Sequence, residues 1–123
     1  VKPETDRHAA LAWATKARAM RCAVCNAKRP HGHHVITQQV LRRTCASHRL
    51  DYERYRWDER NLLPLCERCH AQHHSRFKPV PLAIVMRNTK AIPLAKELHL
   101  LWWISREYPN GRIDAWRRRT TRP

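Results

Sequence analysis

The run Asn61-Leu62-Leu63-Pro64-Leu65-Cys66-Glu67-Arg68-Cys69-His70-Ala71-Gln72-His73-His74 leaves this chain little freedom in how it folds. Leu62 to Leu65 is a short apolar stretch that predicts a buried strand, and Cys66-x-x-Cys69 predicts a turn gripping a metal. A helix is expected from about Glu67 to Arg76. On it His70 and His74, four residues apart, share a face and can reach one ion. Both ligand sets are incomplete as they stand. Cys22-x-x-Cys25 and the pair His33-His34 are the upstream partners that would complete them.

The cysteine count supports that reading. There are five cysteines, and four of them form two Cys-x-x-Cys knuckles separated by 40 residues. In a basic chain without a secretion signal, that pattern reads as a zinc site and not as a disulfide framework. The N-terminal segment is Ala-rich but broken by Lys16, Arg18 and Arg21, so it does not make a signal-peptide core. An intracellular protein is expected. Cys45 is left over and is expected to be a small buried hydrophobe.

Length and charge narrow the class. The 123 residues predict a single domain with a modest core. Lys and Arg number 25 against 10 Asp and Glu, a net charge of +15 that favours a polyanionic partner. Nucleic acid is the first candidate. An anionic membrane is disfavoured, because there is neither an apolar stretch of about 18 residues nor a long basic amphipathic helix.

Along the chain, residues 5 to 20 predict a helix capped by Thr5, with Trp13, Ala17 and Met20 as its packing face. The metal-bearing core spans about residues 21 to 76. His31 to Ile36 favours a strand, on which the adjacent His33 and His34 point to opposite faces, given a local twist. Thr37 to His48 predicts a helix capped by Thr37, with Arg42 and Arg43 able to meet phosphates or simply to face solvent. Residues 49 to 60, dense in charge and aromatics, suit a capping loop or a phosphate-contacting one, with Trp57 read as core. Pro79 and Pro81 mark the start of a C-terminal helical appendage over 79 to 109. Within it, Leu82 to Arg87 and Ile92 to Glu107 are expected as helices, the second starting around Pro93. Leu94, Leu98, Leu101 and Trp102, widened by Trp103 and Ile104, form its apolar stripe, for burial in the chain or in a dimer. Tyr108-Pro109-Asn110-Gly111 closes it in a turn. The tail from 110 to 123 is basic, and Arg117, Arg118 and Arg119, with Arg68 and Arg76, complete the candidate contacts to nucleic-acid backbone.

Two kinds of chemistry follow. Cys22, Cys25, Cys66 and Cys69 form a four-thiolate set suited to structural zinc with no open position. That set alone would also suit a zinc ribbon. His33, His70 and His74 can supply three nitrogens to a divalent ion and leave room for water and a phosphate oxygen. His34 is then free to act as general base on a water, and Asn61 can fix the loop beside it, since an amide donates and accepts without charge.

These residues resemble the HNH (ββα-metal) endonucleases. The likeness is carried by Cys22-x-x-Cys25, Gly32-His33-His34-Val35-Ile36, Asn61 to Cys66-x-x-Cys69-His70, and His74, and it covers about residues 21 to 76. It is strongest toward small stand-alone phage-type members. The resemblance implies an α+β, ββα-metal (HNH, His-Me finger) core with a four-cysteine zinc knuckle pair, flanked by N- and C-terminal helices. It implies that His33, His70 and His74 hold a catalytic divalent ion, that His34 is the base, that Asn61 orients the loop, and that the cysteines hold a separate Zn2+. Many members carry an acidic residue where His33 stands. The nitrogen-rich set here widens the candidates from Mg2+ to Mn2+, Ni2+ or Zn2+. Many also carry Pro where Thr37 stands. Spacing from His70 selects His74, so His73 is expected to face DNA or solvent, and His31 to be solvated.

The expected function is therefore a metal-dependent DNA endonuclease that nicks or cleaves duplex DNA by phosphodiester hydrolysis. Binding should be weakly specific and strongly salt-dependent. A monomer or a homodimer through the C-terminal Trp-rich helix is expected, and the resemblance implies phage packaging proteins as candidate partners, in the cytoplasm of a bacterial host if the chain is phage-encoded. The alternative is a noncatalytic zinc-knuckle nucleic-acid-binding protein. An RNA-directed nuclease or toxin would share the same site.

Overall fold

The computed structural model describes residues 2 to 109, with side chains from Arg7 onward. The architecture is α+β: a two-stranded antiparallel sheet with seven helices around it among the described residues. The tail expected to bind backbone, with Arg117, Arg118 and Arg119, lies outside the described residues.

Strand β1 (His31–His34) pairs with β2 (Leu62–Leu65) in the register His31 with Leu65, Gly32 with Pro64, His33 with Leu63 and His34 with Leu62. β2 is buried along its whole length, as its unbroken apolar run predicts. Pro64 has no N–H to give a ladder, but its carbonyl accepts from Ala23 N at 2.9 Å. That bond draws the first knuckle against the second strand. The knuckle itself is a tight turn, closed by Asn26 N to Cys22 O and Cys22 N to Ala27 O, each at 2.9 Å.

The expected strand runs on through Ile36, but the ladder ends at His34. Val35 and Ile36 are both fully buried, so alternation breaks there. Asn61 causes the turn: its carbonyl takes Val35 N, and its amide takes Ile36 N at 2.7 Å and gives to Ile36 O at 2.9 Å.

Helix α1 (Lys2–Arg18) begins before Thr5, which therefore lies inside it and is not its cap. Its face is as expected: Trp13 and Ala17 are buried with Leu62, and Met20 and Trp57 close the cluster. Gly32 permits this contact, since a Cβ there would sit 2.2 Å from Trp13 Nε1. Helix α2 (Gln38–Ser47) is capped by Thr37, whose hydroxyl accepts from Val40 N, and it buries Leu41 and Cys45. Residues 49 to 60 cap the core through α3 (Tyr52–Arg56), which buries Tyr55, and a 3-10 turn over Glu59–Asn61. Helix α4 (Glu67–His74) stops short of Arg76, which is left-handed at φ 65°.

The C-terminal segment holds α5 (Leu82–Asn88), α6 (Ala91–Glu97) and α7 (Leu101–Glu107). The single helix expected over 92 to 107 is thus two. His99 takes φ 58°, and the bonds His99 N to Lys96 O and Leu100 N to Ala95 O close a Schellman ending without glycine. The break rotates the later residues. Leu94, Leu98 and Ile104 are buried in the main core, whereas Leu101 and Trp102 are exposed and do not join them. No helix among the described residues is long and apolar enough to cross a membrane.

Candidate functional site

The four knuckle cysteines converge, with all their sulfurs within 4.8 Å of one another. Ala23 on Pro64 brings Cys22 and Cys25 to the start of α4, where Cys66 is the N-cap and its sulfur accepts from Cys69 N at 3.4 Å. Cys25 Sγ and Cys66 Sγ lie 3.5 Å apart, far beyond the length of a disulfide, about 2.05 Å. None of the four is in a disulfide. Burial works against a Cys22 thiolate, but N–H groups of Cys25, Cys66 and Val24 outweigh it and hold that thiol at about 6. Burial and the neighbouring sulfurs push Cys69 up to about 12. Four sulfurs this close resist ionising together without a cation among them, and that chemistry fits zinc. This cluster could hold a metal ion such as zinc.

The second cluster joins the sheet to the helix. His33, on β1, and His70 and His74, on α4, bring one ring nitrogen each within 4.8 Å. Helical spacing works as expected: His70 Nε2 and His74 Nε2 are 2.9 Å apart. His33 is 3% exposed, whereas His74 reaches solvent, so the cluster is open on one side. Burial, reinforced by the surrounding imidazoles, pushes His33 down to about 2, and burial also lowers His70. His33 and His70 therefore present lone pairs, not charges, at neutral pH. That is the state in which imidazole binds a metal.

His34 leaves the same strand in the opposite direction. Its Nε2 lies 3.0 Å from the carbonyl of Arg56. A carbonyl can only accept, so Nε2 carries the hydrogen and Nδ1 keeps the lone pair. Trp13 stacks on the ring at 4.4 Å and 18°, and Trp57 lies against it at 5.3 Å. Burial lowers its pKa, which keeps the ring neutral. Between the two histidine groups runs a cleft of about 510 Å3, lined by Trp13, Arg18, His33, His34, His70 and His74 among others.

His73 corrects the sequence expectation. It faces neither solvent nor an open groove but is 1% exposed, stacked on Tyr108 at 5.1 Å and 7°. Its Nδ1 accepts from Val80 N at 2.9 Å, which fastens α4 to the C-terminal segment. Helical geometry turns it away from His70 and His74 toward Tyr108, the residue that ends α7 (Leu101–Glu107), with Glu107 3.9 Å from its Nε2. His31 is exposed, as expected. Among the arginines, Arg42, Arg43 and Arg68 are exposed, Arg42 lying over the Tyr52 ring. Arg76, expected as a backbone contact, is tied to Glu107 at 2.6 Å.

Three site residues were missed by sequence reasoning. Trp13 read as packing alone, Arg56 meets His34 through its backbone carbonyl, which its side-chain type does not announce, and Tyr108 read as the start of a turn. Tyr108 is fully buried, and its hydroxyl lies 2.8 Å from His33 Nε2. Comparisons with protein-family models, with curated proteins and with solved structures return no match.

Proposed function

We propose that this chain is a metal-dependent DNA endonuclease of the HNH (ββα-metal) type. One observation carries the reading: three imidazole nitrogens within 4.8 Å lie beside a fourth, separately held imidazole, across one cleft. A structural site has no use for the fourth. His33, His70 and His74 would hold a divalent ion, and the absence of carboxylates from that set favours transition metals. Such an ion, when bound, polarises the scissile phosphate and stabilises the leaving 3′ oxygen.

The chain's own residues supply the rest. His34 accepts the proton of the attacking water at Nδ1, while the Arg56 carbonyl holds Nε2–H and fixes the tautomer. The Trp13 ring limits how the imidazole can turn. Asn61 clamps the backbone just past His34 through its two bonds to Ile36. The cysteine cluster holds the first knuckle on α4, and with it the register of sheet and helix. Exposed Arg42, Arg43 and Arg68, within a chain of net charge +15, supply attraction for the phosphate backbone.

The test is plasmid cleavage by wild type and His34→Ala with Mg2+, Mn2+, Ni2+ or Zn2+, and with EDTA. Loss of supercoiled DNA by wild type alone, and only with added metal, is the expected result. If both proteins retard DNA on a gel and neither cuts it with any metal, the chain is a zinc-knuckle binder. A matched RNA substrate separates a DNA nuclease from an RNA-directed one.

A further inference from the structure

Tyr108 stands 75 positions from His33 in sequence and touches it in space, with its hydroxyl 2.8 Å from His33 Nε2. The same hydroxyl donates its hydrogen to the carbonyl of Val35. A hydroxyl has one hydrogen, and this one is spent on a carbonyl that can only accept. The phenol oxygen must then receive from His33, so Nε2 carries the hydrogen and Nδ1 keeps the lone pair. Tyr108 has little freedom to arrange this otherwise. It is fully buried, its ring is stacked on His73, and the following Pro109 carbonyl accepts from Leu82 N at 2.9 Å.

We propose that Tyr108 is a positioning residue for the metal-binding histidines: it locks His33 as the Nε2–H tautomer and offers Nδ1 to the ion. The proposal rests on the metal reading of His33, His70 and His74. Its consequence is that the C-terminal segment is part of the site and not an appendage to it. Partners that fix the tautomer and ring orientation of a ligating histidine commonly change metal affinity by about 10- to 100-fold.

Tyr108→Phe tests this, because it keeps the ring on His73 and removes only the hydroxyl. The protein is prepared with one equivalent of zinc on the cysteines, and imidazole nitrogens are read by long-range 1H–15N correlation before a second metal is added. Wild type should show His33 purely as the Nε2–H tautomer, and Tyr108→Phe a mixture. Titration with Co2+ should then show affinity for the second equivalent lower by about 10- to 100-fold in Tyr108→Phe, with the first zinc retained. Equal Co2+ affinity in the two proteins overturns the proposal. So does a wild-type His33 carrying its hydrogen on Nδ1, a reading that needs no variant to fold. A wild type that takes no second ion sinks the nuclease reading instead, and the tautomer spectra report on Tyr108 separately.

Discussion

Asn61 and Ile36 pair in both directions, the Asn61 amide accepting from Ile36 N at 2.7 Å and donating to Ile36 O at 2.9 Å, with both residues fully buried. A neutral amide can do both at once, accepting at its oxygen and donating from its nitrogen. The bond pair sets where β1 ends, just past His34.

Asn61→Ala leaves a buried donor and a buried acceptor unpaired, a loss of roughly 2–5 kcal/mol. Asn61→Asp restores only the acceptor and sets a carboxylate against the Ile36 carbonyl, so it should fare no better. Urea unfolding measures both. An Asn61→Ala midpoint equal to wild type contradicts the clamp.

Gly32→Ala forces a Cβ to within 2.2 Å of Trp13 Nε1, so the Trp13 ring must turn or α1 must lift from β1. Overpacking of this kind costs about 1–3 kcal/mol. Trp13→Ala in the same chain should remove the clash, and the double variant should lose less than the sum of the singles. Additive losses in a double-mutant cycle argue against the contact.

Removal of metal from the cysteine cluster should unfold the sheet–helix unit, because the sulfurs tie the first knuckle to α4 while the bond from Ala23 N to Pro64 O ties it to β2. Elemental analysis should find one zinc lost per chain on treatment with a strong chelator, with loss of circular dichroism and exposure of the thiols. Cys69→Ala should behave as the chelated protein does. A zinc-free chain that melts at the same temperature has no structural zinc.

Acid should destabilise the fold through His73, which burial holds at about 4, against about 6.5 for a free imidazole. The unfolded chain therefore binds the proton first, and stability falls as pH drops from 6.5 through 4. His73→Phe keeps an aromatic ring on Tyr108 but gives Val80 N–H no acceptor. It should lose roughly 1–3 kcal/mol at pH 7 and show a shallower acid slope. Urea midpoints across pH 4 to 7 provide the check, and parallel slopes would exclude His73 as a source.

With His34 as the base of the proposed nuclease, cleavage should persist below the pH at which a free imidazole protonates. Burial lowers His34 from its ordinary value, so the neutral base survives further into acid. The acid limb of the rate profile is expected below pH 6.5, the usual value of about 6.5 being that of a free ring. A limb at or above it is inconsistent with the buried, Trp13-stacked ring acting as base.

Local signals carried far. Leu62 to Leu65 as a buried strand, Thr37 as a helix cap, the cysteine quartet, and His70 with His74 on one face were all legible in residue order. Each depends on neighbours within a turn or a pleat, or on ligands of one chemical type. Tertiary structure alone decided the rest. His73 is buried because the Tyr108 ring stacks on it, Trp13 meets His34 because Gly32 lets α1 approach, and Tyr108 reaches His33 across 75 positions. The break at His99 belongs with them, since a left-handed histidine ends α6 and carries no breaker signal of its own. Periodicity says which face of an element is apolar, but not which other element will cover it. Contacts between distant segments are settled only when all those faces are buried together.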